Sequence, residues 1–382
     1  MHFQLSEEQQ MFKEMVQNFA KKEIAPIAAQ TDAEHKFPLE TIKKIGELGM
    51  AGIPIPEEWG GAGGDYLTFA VFCEELAKVC ATTSVIMSVH TGLGCMSTYL
   101  YGSQYLKEKY LKDLATGKII GAYALTEPEA GSDAANLKLN AEDKGDHYII
   151  NGSKCFITNA GYATTYCTFV KSKPGQPRGK GITCLVVEKD TPGFSIGKPL
   201  EKMGMNGSIT TDLYFDNVKV SKKNILGEEH DGFKVAMGLL AGGRITIGAQ
   251  ALGIGEGALD FTKNYIKERK QFDKPLAANQ GVQFMVAEMA TKLDAAQLLV
   301  YRAAWLKSNN LPHNKEASMA KFFASDTSME VTTNCVQLMG GYGYCREFPV
   351  ERMMRDCKIT QIYEGSNQIQ RMIIGREVIG QF

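Results

Sequence analysis

The run Ile359-Thr360-Gln361-Ile362-Tyr363-Glu364-Gly365-Ser366-Asn367-Gln368-Ile369-Gln370 sets a single carboxylate between apolar residues and a glycine. A carboxylate confined in this way is poorly solvated. That disfavours its charged form and lifts its pKa toward neutrality, where one group can both take up and release a proton. Gly365, lacking a Cβ, lets the backbone come close to a ligand. General-base catalysis by Glu364 is the chemistry within reach. The same residue types also suit a plain helix start before Ile369, Met372 and Ile373, with the acid favoured by the helix dipole and Ser366 or Asn367 as cap. Spacing alone leaves both readings open.

Helical spacing dominates the chain up to about residue 116, where Phe12, Val16 and Phe19 and then Leu39, Ile42, Ile45 and Leu48 recur at three or four residues. Phe37-Pro38 marks a helix start, and the glycine-rich stretch 54–64 is a surface loop. Within 69–100 the segment Ser88-Val89-His90-Thr91-Gly92-Leu93-Gly94 is small and polar for a core, which suits either a ligand channel or close helix packing. After Gly121 the period changes. Asn151-Gly152 between Tyr148-Ile149-Ile150 and Lys154-Cys155-Phe156-Ile157 predicts a β-hairpin with a primed turn, and strands are expected at 166–171, 181–188 and 211–215. From Gly232 long helices return at about 232–268, 281–308 and 315–339, read as an antiparallel four-helix bundle. After its opening Gly232 the first carries seven more, Gly238, Gly242, Gly243, Gly248, Gly253, Gly255 and Gly257, each costing up to ~1 kcal/mol against alanine inside a helix, so neighbouring backbones or a ligand must approach it closely. The expected units are an N-terminal helical domain 1–120, a middle β domain 121–229 and a C-terminal bundle 230–382.

The 382 residues exceed one simple core. A formal net charge of −1 provides no global field for nucleic acid or an anionic membrane. Nine scattered cysteines without Cys-x-x-Cys argue against a disulfide framework and a zinc site and fit a reducing compartment. Ser6-Glu7-Glu8-Gln9 reads as a capping box close to Met1, so no leader peptide and a cytoplasmic location are expected. Apolar stretches are interrupted well before the ~20 residues a membrane span needs. No Walker A sequence is present, and Gly253-Ile254-Gly255-Glu256-Gly257 lies inside a helical pattern rather than after a strand, so a Rossmann site is unsupported.

Four segments, in order, resemble the acyl-CoA dehydrogenase family, in particular its short-chain or butyryl type. They are Tyr123-Ala124-Leu125-Thr126-Glu127-Pro128 with Gly131-Ser132-Asp133; Asn151-Gly152-Ser153-Lys154-Cys155-Phe156-Ile157-Thr158-Asn159; Gln337-Leu338-Met339-Gly340-Gly341-Tyr342-Gly343-Tyr344; and Tyr363 to Gln370. The resemblance spans nearly the whole chain. It implies a multidomain α+β fold of helical N-terminal domain, small middle β-barrel and C-terminal four-helix bundle, with FAD extended between the last two and its adenine half reaching a neighbouring subunit.

Residue by residue, the resemblance implies that Tyr123, Leu125 and Thr126 contact the flavin ring, and that Phe156, standing where tryptophan is frequent, and Thr158 cover it. Ser132 lies near the pyrophosphate and the CoA end of the substrate. Arg269, Phe272, Gln280, Gln337 and Gly341 hold a neighbour's FAD, while Ser366 and Gln368 close the site. For Arg269 the residues alone favour an exposed charge ending the helix at Lys267-Glu268-Arg269-Lys270. Glu364 removes the pro-R α-proton of an acyl-CoA thioester as hydride leaves the β-carbon for the flavin, and its backbone N–H with a ribityl hydroxyl stabilises the enolate. Arg244, Tyr363 and Gly365 line the substrate site. In related branches the base stands immediately before the bundle arginine, where this chain has Gly243. Two residues earlier than Gly243, at Ala241, butyryl-type relatives usually carry aspartate.

The implied partners are an acyl-CoA or enoyl-CoA and an electron-transfer flavoprotein, in a homotetramer built as a dimer of dimers. One alternative is a reductase for a bulkier aryl-propenoyl-CoA in a bifurcating complex, for which Ala241, Gly92 and Cys95 would leave room. From another class, the chain is a flavin-binding scaffold without chemistry.

Overall fold

A computed structural model describes residues 4–380. The capping box forms as expected: Ser6 Oγ accepts from the Gln9 amide, and the Gln9 side chain accepts from the Ser6 amide, opening α1 (Glu7–Phe19). It is followed by α2 (Ala25–Ala33), α3 (Leu39–Glu47), α4 (Tyr66–Ala77), α5 (Ala81–Val89), α6 (Met96–Tyr101), α7 (Gln104–Leu106) and α8 (Lys112–Ala115). Between α5 and α6 the residues His90–Cys95 wind as a π-helix and are buried throughout. Their small size serves close packing. A Cβ on Gly94 would stand 2.9 Å from the Gly121 Cα, and the Gly121 amide donates to His90 Nδ1 at 3.1 Å while His90 Nε2 faces the Leu114 carbonyl at 3.0 Å. A seam of backbone on backbone thereby joins the helical layer to the first strand.

The middle of the chain is a mixed sheet of β1 (Gly121–Ala124), β2 (Asn140–Asp143), β3 (His147–Thr158), β4 (Thr165–Lys171), β5 (Ile182–Glu188), β6 (Phe194–Ile196), β7 (Thr210–Ser221) and β8 (Ile225–Leu226). Its hydrogen-bonded order runs β6-β7-β3-β2-β4-β5-β8, with β1 parallel to β4. The expected hairpin turn at Asn151-Gly152 does not form. β3 runs unbroken through it along β7, with register shifts at 150/152 and 154/157. Gly152 has φ 134, in the left-handed half of the map that favours glycine, but it serves a bulge rather than a turn.

Helices then return as α9 (Gly232–Glu268), α10 (Gln280–Ser308), α11 (Asn314–Met339), α12 (Pro349–Lys358) and α13 (Asn367–Ile379). A hairpin of β9 (Lys270–Gln271) and β10 (Lys274–Pro275) links α9 to α10. The glycines of α9 have the role their number required. A Cβ at Gly253 would lie 2.1 Å from the Glu74 carbonyl and one at Gly257 2.2 Å from that of Lys78, so α4 packs backbone to backbone on this helix. Among the described residues α9 alone is long and apolar enough to cross a membrane, and 83% of its most apolar window is buried inside the protein.

Candidate active site

Between α12 and α13 the chain makes a 3₁₀ turn at Ile359–Gln361 and then two left-handed residues, Glu364 at φ 51 and Gly365 at φ 96. A non-glycine residue there is strained, and such strain persists only where the surroundings enforce it. Three groups do so: Lys321 Nζ donates to the Gly365 carbonyl at 2.8 Å, Gln370 Nε2 donates to the same carbonyl at 2.8 Å, and Tyr363 N donates to Ile359 O at 3.0 Å. The turn throws the Glu364 carboxylate back onto α9. A Cβ on Gly243 would stand only 2.0 Å from Glu364 Oε2, so this carboxylate and any side chain at 243 compete for one space. The plain helix-start reading fails on geometry. Ser366 holds the N-cap position of α13 with no side-chain cap bond, and the Asn367 side chain turns to Ser325 and Asp326.

Glu364 Oε2 is shielded from solvent and has no hydrogen-bond partner among the described residues. Burial pushes the pKa up to about 7, against the opposing pull of Lys321 and Arg244. Arg244 is 5% exposed, donates from Nη1 to Asn314 Oδ1 at 2.8 Å and leaves its Nε unpaired. Tyr363 walls the site, its hydroxyl donating to Gln250, whose Nε2 donates to the Ala81 carbonyl at 2.9 Å. At the adjacent position on α9 the Tyr66 hydroxyl presses on Gly242, and the space beside Gly92 is bounded by Phe69, 3.4 Å from where a Cβ would stand.

The segment after β1 is tied down by a buried ion pair. Lys154 Nζ reaches Glu127 Oε1 at 2.7 Å and the Leu125 carbonyl at 2.9 Å, while Glu127 also accepts the Lys138 and Leu139 amides at 2.6 and 2.9 Å. The Thr126 carbonyl accepts the Cys155 amide at 2.9 Å, so Tyr123, Leu125 and Thr126 are held against β3. Phe156 stands on the β3 bulge with φ 59, the residue 67% exposed, and Thr158 follows in register with Thr210. Ser132 lies exposed in the loop beyond. The Tyr123 hydroxyl is buried without a partner.

A second group stands apart. Arg269, Gln337 and Gly341 line an open groove of about 490 Å³ with Tyr265, Gln271, Leu276 and Tyr342, and the Arg269 guanidinium lies over the Tyr342 ring at 5.5 Å. Phe272 is 97% exposed at φ 51, and Gln280 opens α10 in solvent. None of the residues around Glu364 lines this groove. Ser366 is half-buried and Gln368 exposed at the start of α13.

Sequence reasoning missed Lys321, Gln370, Tyr66 and the Lys154–Glu127 pair. For Lys321 a signal existed. It falls with Ala317, Ala320 and Ala324 on one helical stripe, all wholly buried, and a lysine on an apolar stripe is an anomaly. The features present suit a flavin: unpaired buried polar atoms on Tyr123, Arg244 and Glu364, an outward aromatic at Phe156, and an open groove whose one guanidinium, Arg269, is able to meet a phosphate.

Comparison with known proteins agrees with this geometry. Residues 6–118, 122–218 and 230–379 match, in turn, the descriptions "Acyl-CoA dehydrogenase, N-terminal domain", "middle domain" and "C-terminal domain". The chain is 48% identical to "Acyl-CoA dehydrogenase, short-chain specific" of Clostridium acetobutylicum, covering 99% of this chain and 100% of that one. It is 45% identical to "Acryloyl-CoA reductase (NADH)" of Anaerotignum propionicum, over 99% and 96% of the two chains. A solved structure concerning the electron transferring flavoprotein of Acidaminococcus fermentans and flavin-based electron bifurcation contains a chain that superposes with TM-score 0.98 at 48% identity, covering 100% of both. This chain therefore belongs to the acyl-CoA dehydrogenase family, FAD flavoproteins that are oxidoreductases on CH–CH bonds.

Proposed function

We propose that this protein interconverts a short, compact acyl-CoA and its 2-enoyl-CoA, with Glu364 as the proton-transferring base and an electron-transfer flavoprotein as redox partner. The observation that carries the reading is the Glu364 carboxylate, desolvated and unpaired against Gly243. Its relatives support the substrate class through the short-chain-specific enzyme of Clostridium acetobutylicum, and the reductive direction through the acryloyl-CoA reductase. The partner is supported by the structural match to the assembly named for an electron transferring flavoprotein.

In this reading the thioester lies beside α9 with its α-carbon at Glu364. The carboxylate takes the α-proton onto the unpaired Oε2, and the Glu364 backbone N–H steadies the oxygen on which negative charge develops. The chemistry a bound FAD would supply is a hydride acceptor for the β-carbon. Tyr363 and the Tyr66–Phe69 wall exclude water and limit acyl bulk; because Phe69 and Tyr66 already border Gly92, a compact acyl group fits better than an aryl-propenoyl one. Arg244 and Ser132 serve the CoA portion. Tyr123, Leu125, Thr126, Phe156, Thr158, Ser366 and Gln368 hold the flavin, and Arg269, Phe272, Gln280, Gln337 and Gly341 serve the FAD of a neighbouring subunit in a dimer of dimers. The domains divide at 120/121 and 229/230, and the protein works in the cytoplasm, consistent with nine free thiols, eight of them buried.

The test is anaerobic mixing of the FAD-loaded protein with butyryl-CoA while flavin absorbance is followed. Bleaching within the mixing time scale of a family enzyme supports the reading, as does reoxidation by crotonyl-CoA. An unreduced flavin, or reduction only by acyl chains of a dozen carbons, overturns it.

A further inference from the structure

Lys321 is wholly buried in the middle of α11 and makes no ion pair with any of the described residues. Its Nζ donates instead to the Gly365 carbonyl at 2.8 Å and to Asn367 Oδ1 at 2.9 Å. The first acceptor belongs to the left-handed turn that bears the base, and the second follows that turn by two residues. Asn367 is itself fixed by Ser325 Oγ, which donates back to the Lys321 carbonyl at 2.7 Å, so the ammonium sits in a closed ring of hydrogen bonds between α11 and the start of α13. Burying a lysine without a carboxylate partner costs stability. Packing does not explain it, since alanines serve at the neighbouring buried positions 317, 320 and 324.

We propose that Lys321 is a positioning residue for Glu364, its side chain clamping the Glu364-Gly365 turn through Gly365 and Asn367 and placing a positive centre beside the carboxylate. This rests on the reading of Glu364 as base. Around the carboxylate stand Lys321 on α11, Arg244 on α9, Tyr66 and Cys73 on α4, Tyr123 on β1 and the adjacent Tyr363; Asp326 faces Lys321 from its own helix. Of these only Lys321 and Arg244 favour the ionised carboxylate, and only Lys321 also bonds the turn itself. Burial draws the lysine down to about 7, so the two groups share the neutral range.

The experiment compares wild type, Lys321→Met and Lys321→Arg as FAD-loaded holoenzymes in single-turnover reduction by butyryl-CoA across neutral pH, with acyl-CoA affinity measured in parallel. Without the cation the Glu364 pKa rises, so in Lys321→Met the rate–pH midpoint moves upward by about one unit and the plateau falls at least ~10-fold through misplacement of the base, with affinity changed less than about threefold. Lys321→Arg, whose cation persists above neutral pH, sets the midpoint at or below the wild-type value with a lower plateau. A midpoint and plateau in Lys321→Met equal to wild type overturn the inference, as does an equal loss in affinity and rate at unmoved midpoint, the mark of a merely structural residue. Should Lys321→Met fail to fold, the Arg variant decides: a midpoint raised above wild type overturns the claim, as does one unmoved with affinity and rate lost equally, and a midpoint below wild type supports it. Failure of wild type to be reduced by any short acyl-CoA sinks the function instead, and is seen before either variant is made.

Discussion

Glu364→Gln keeps the volume and most contacts of the side chain but cannot accept a proton, so flavin reduction by substrate falls at least ~10²-fold. FAD content and acyl-CoA affinity stay near wild type, and stopped-flow absorbance separates the two effects. The pH dependence follows from the same burial. With a pKa of about 7, Glu364 is the competent base above that value and the competent acid below it. Dehydrogenation therefore rises as pH increases through about 7, while enoyl reduction falls across the same window; rates in both directions against pH check this. The apolar neighbours of Glu364 point to a desolvated acid, and its burial matches that, but spacing left a helix start equally in view and the role of base came from the family resemblance. Lys321 announces itself as a lysine on an alanine stripe, but the partner it clamps does not, because Gly365 lies 44 residues away and leaves no local spacing to read; Gln370 stands in the same run, five residues from Gly365, but its side-chain bond to that carbonyl follows no spacing rule.

Single side chains act here through the elements that carry them, and α9 shows how. In Gly243→Ala the new methyl meets only the far end of the Glu364 side chain, so the helix persists and gains up to ~1 kcal/mol of propensity. The base is displaced, however, and a misplacement of about 1 Å costs roughly 10²-fold. Near-normal melting with flavin reduction lost is the expected pair of results. At β3, removing one partner of the buried Lys154–Glu127 bond strands the other: Glu127→Ala lowers stability by about 3–5 kcal/mol. Burial holds Lys154 down to about 8, so the loss is larger at pH 7 than at pH 10, where the amine is neutral; denaturant midpoints at both values test it. The long helices could be read from their period. The course of β3 could not, since Asn-Gly favours a turn locally and pairing with β7 overrides it by making the pair a bulge.

For the assembled enzyme the separation of Arg269, Gln337 and Gly341 from Glu364 has a direct test. If the groove serves a neighbour's FAD, then Arg269→Ala and Glu364→Gln subunits, each inactive alone, form hybrids after unfolding and refolding together in which some sites have both intact groups. A partial return of activity is expected, and none if the groove serves its own subunit. The seam at His90 carries a different consequence. Its ring must be neutral to accept the Gly121 amide, and burial holds its pKa at about 4 against an ordinary 6.5. The unfolded chain thus binds the extra proton first, and about 3 kcal/mol drains away as acidity increases from pH 6.5 to 4. Acid should part the helical layer from the sheet at this join before it loosens the bundle, making the Gly121 amide an early reporter in hydrogen exchange.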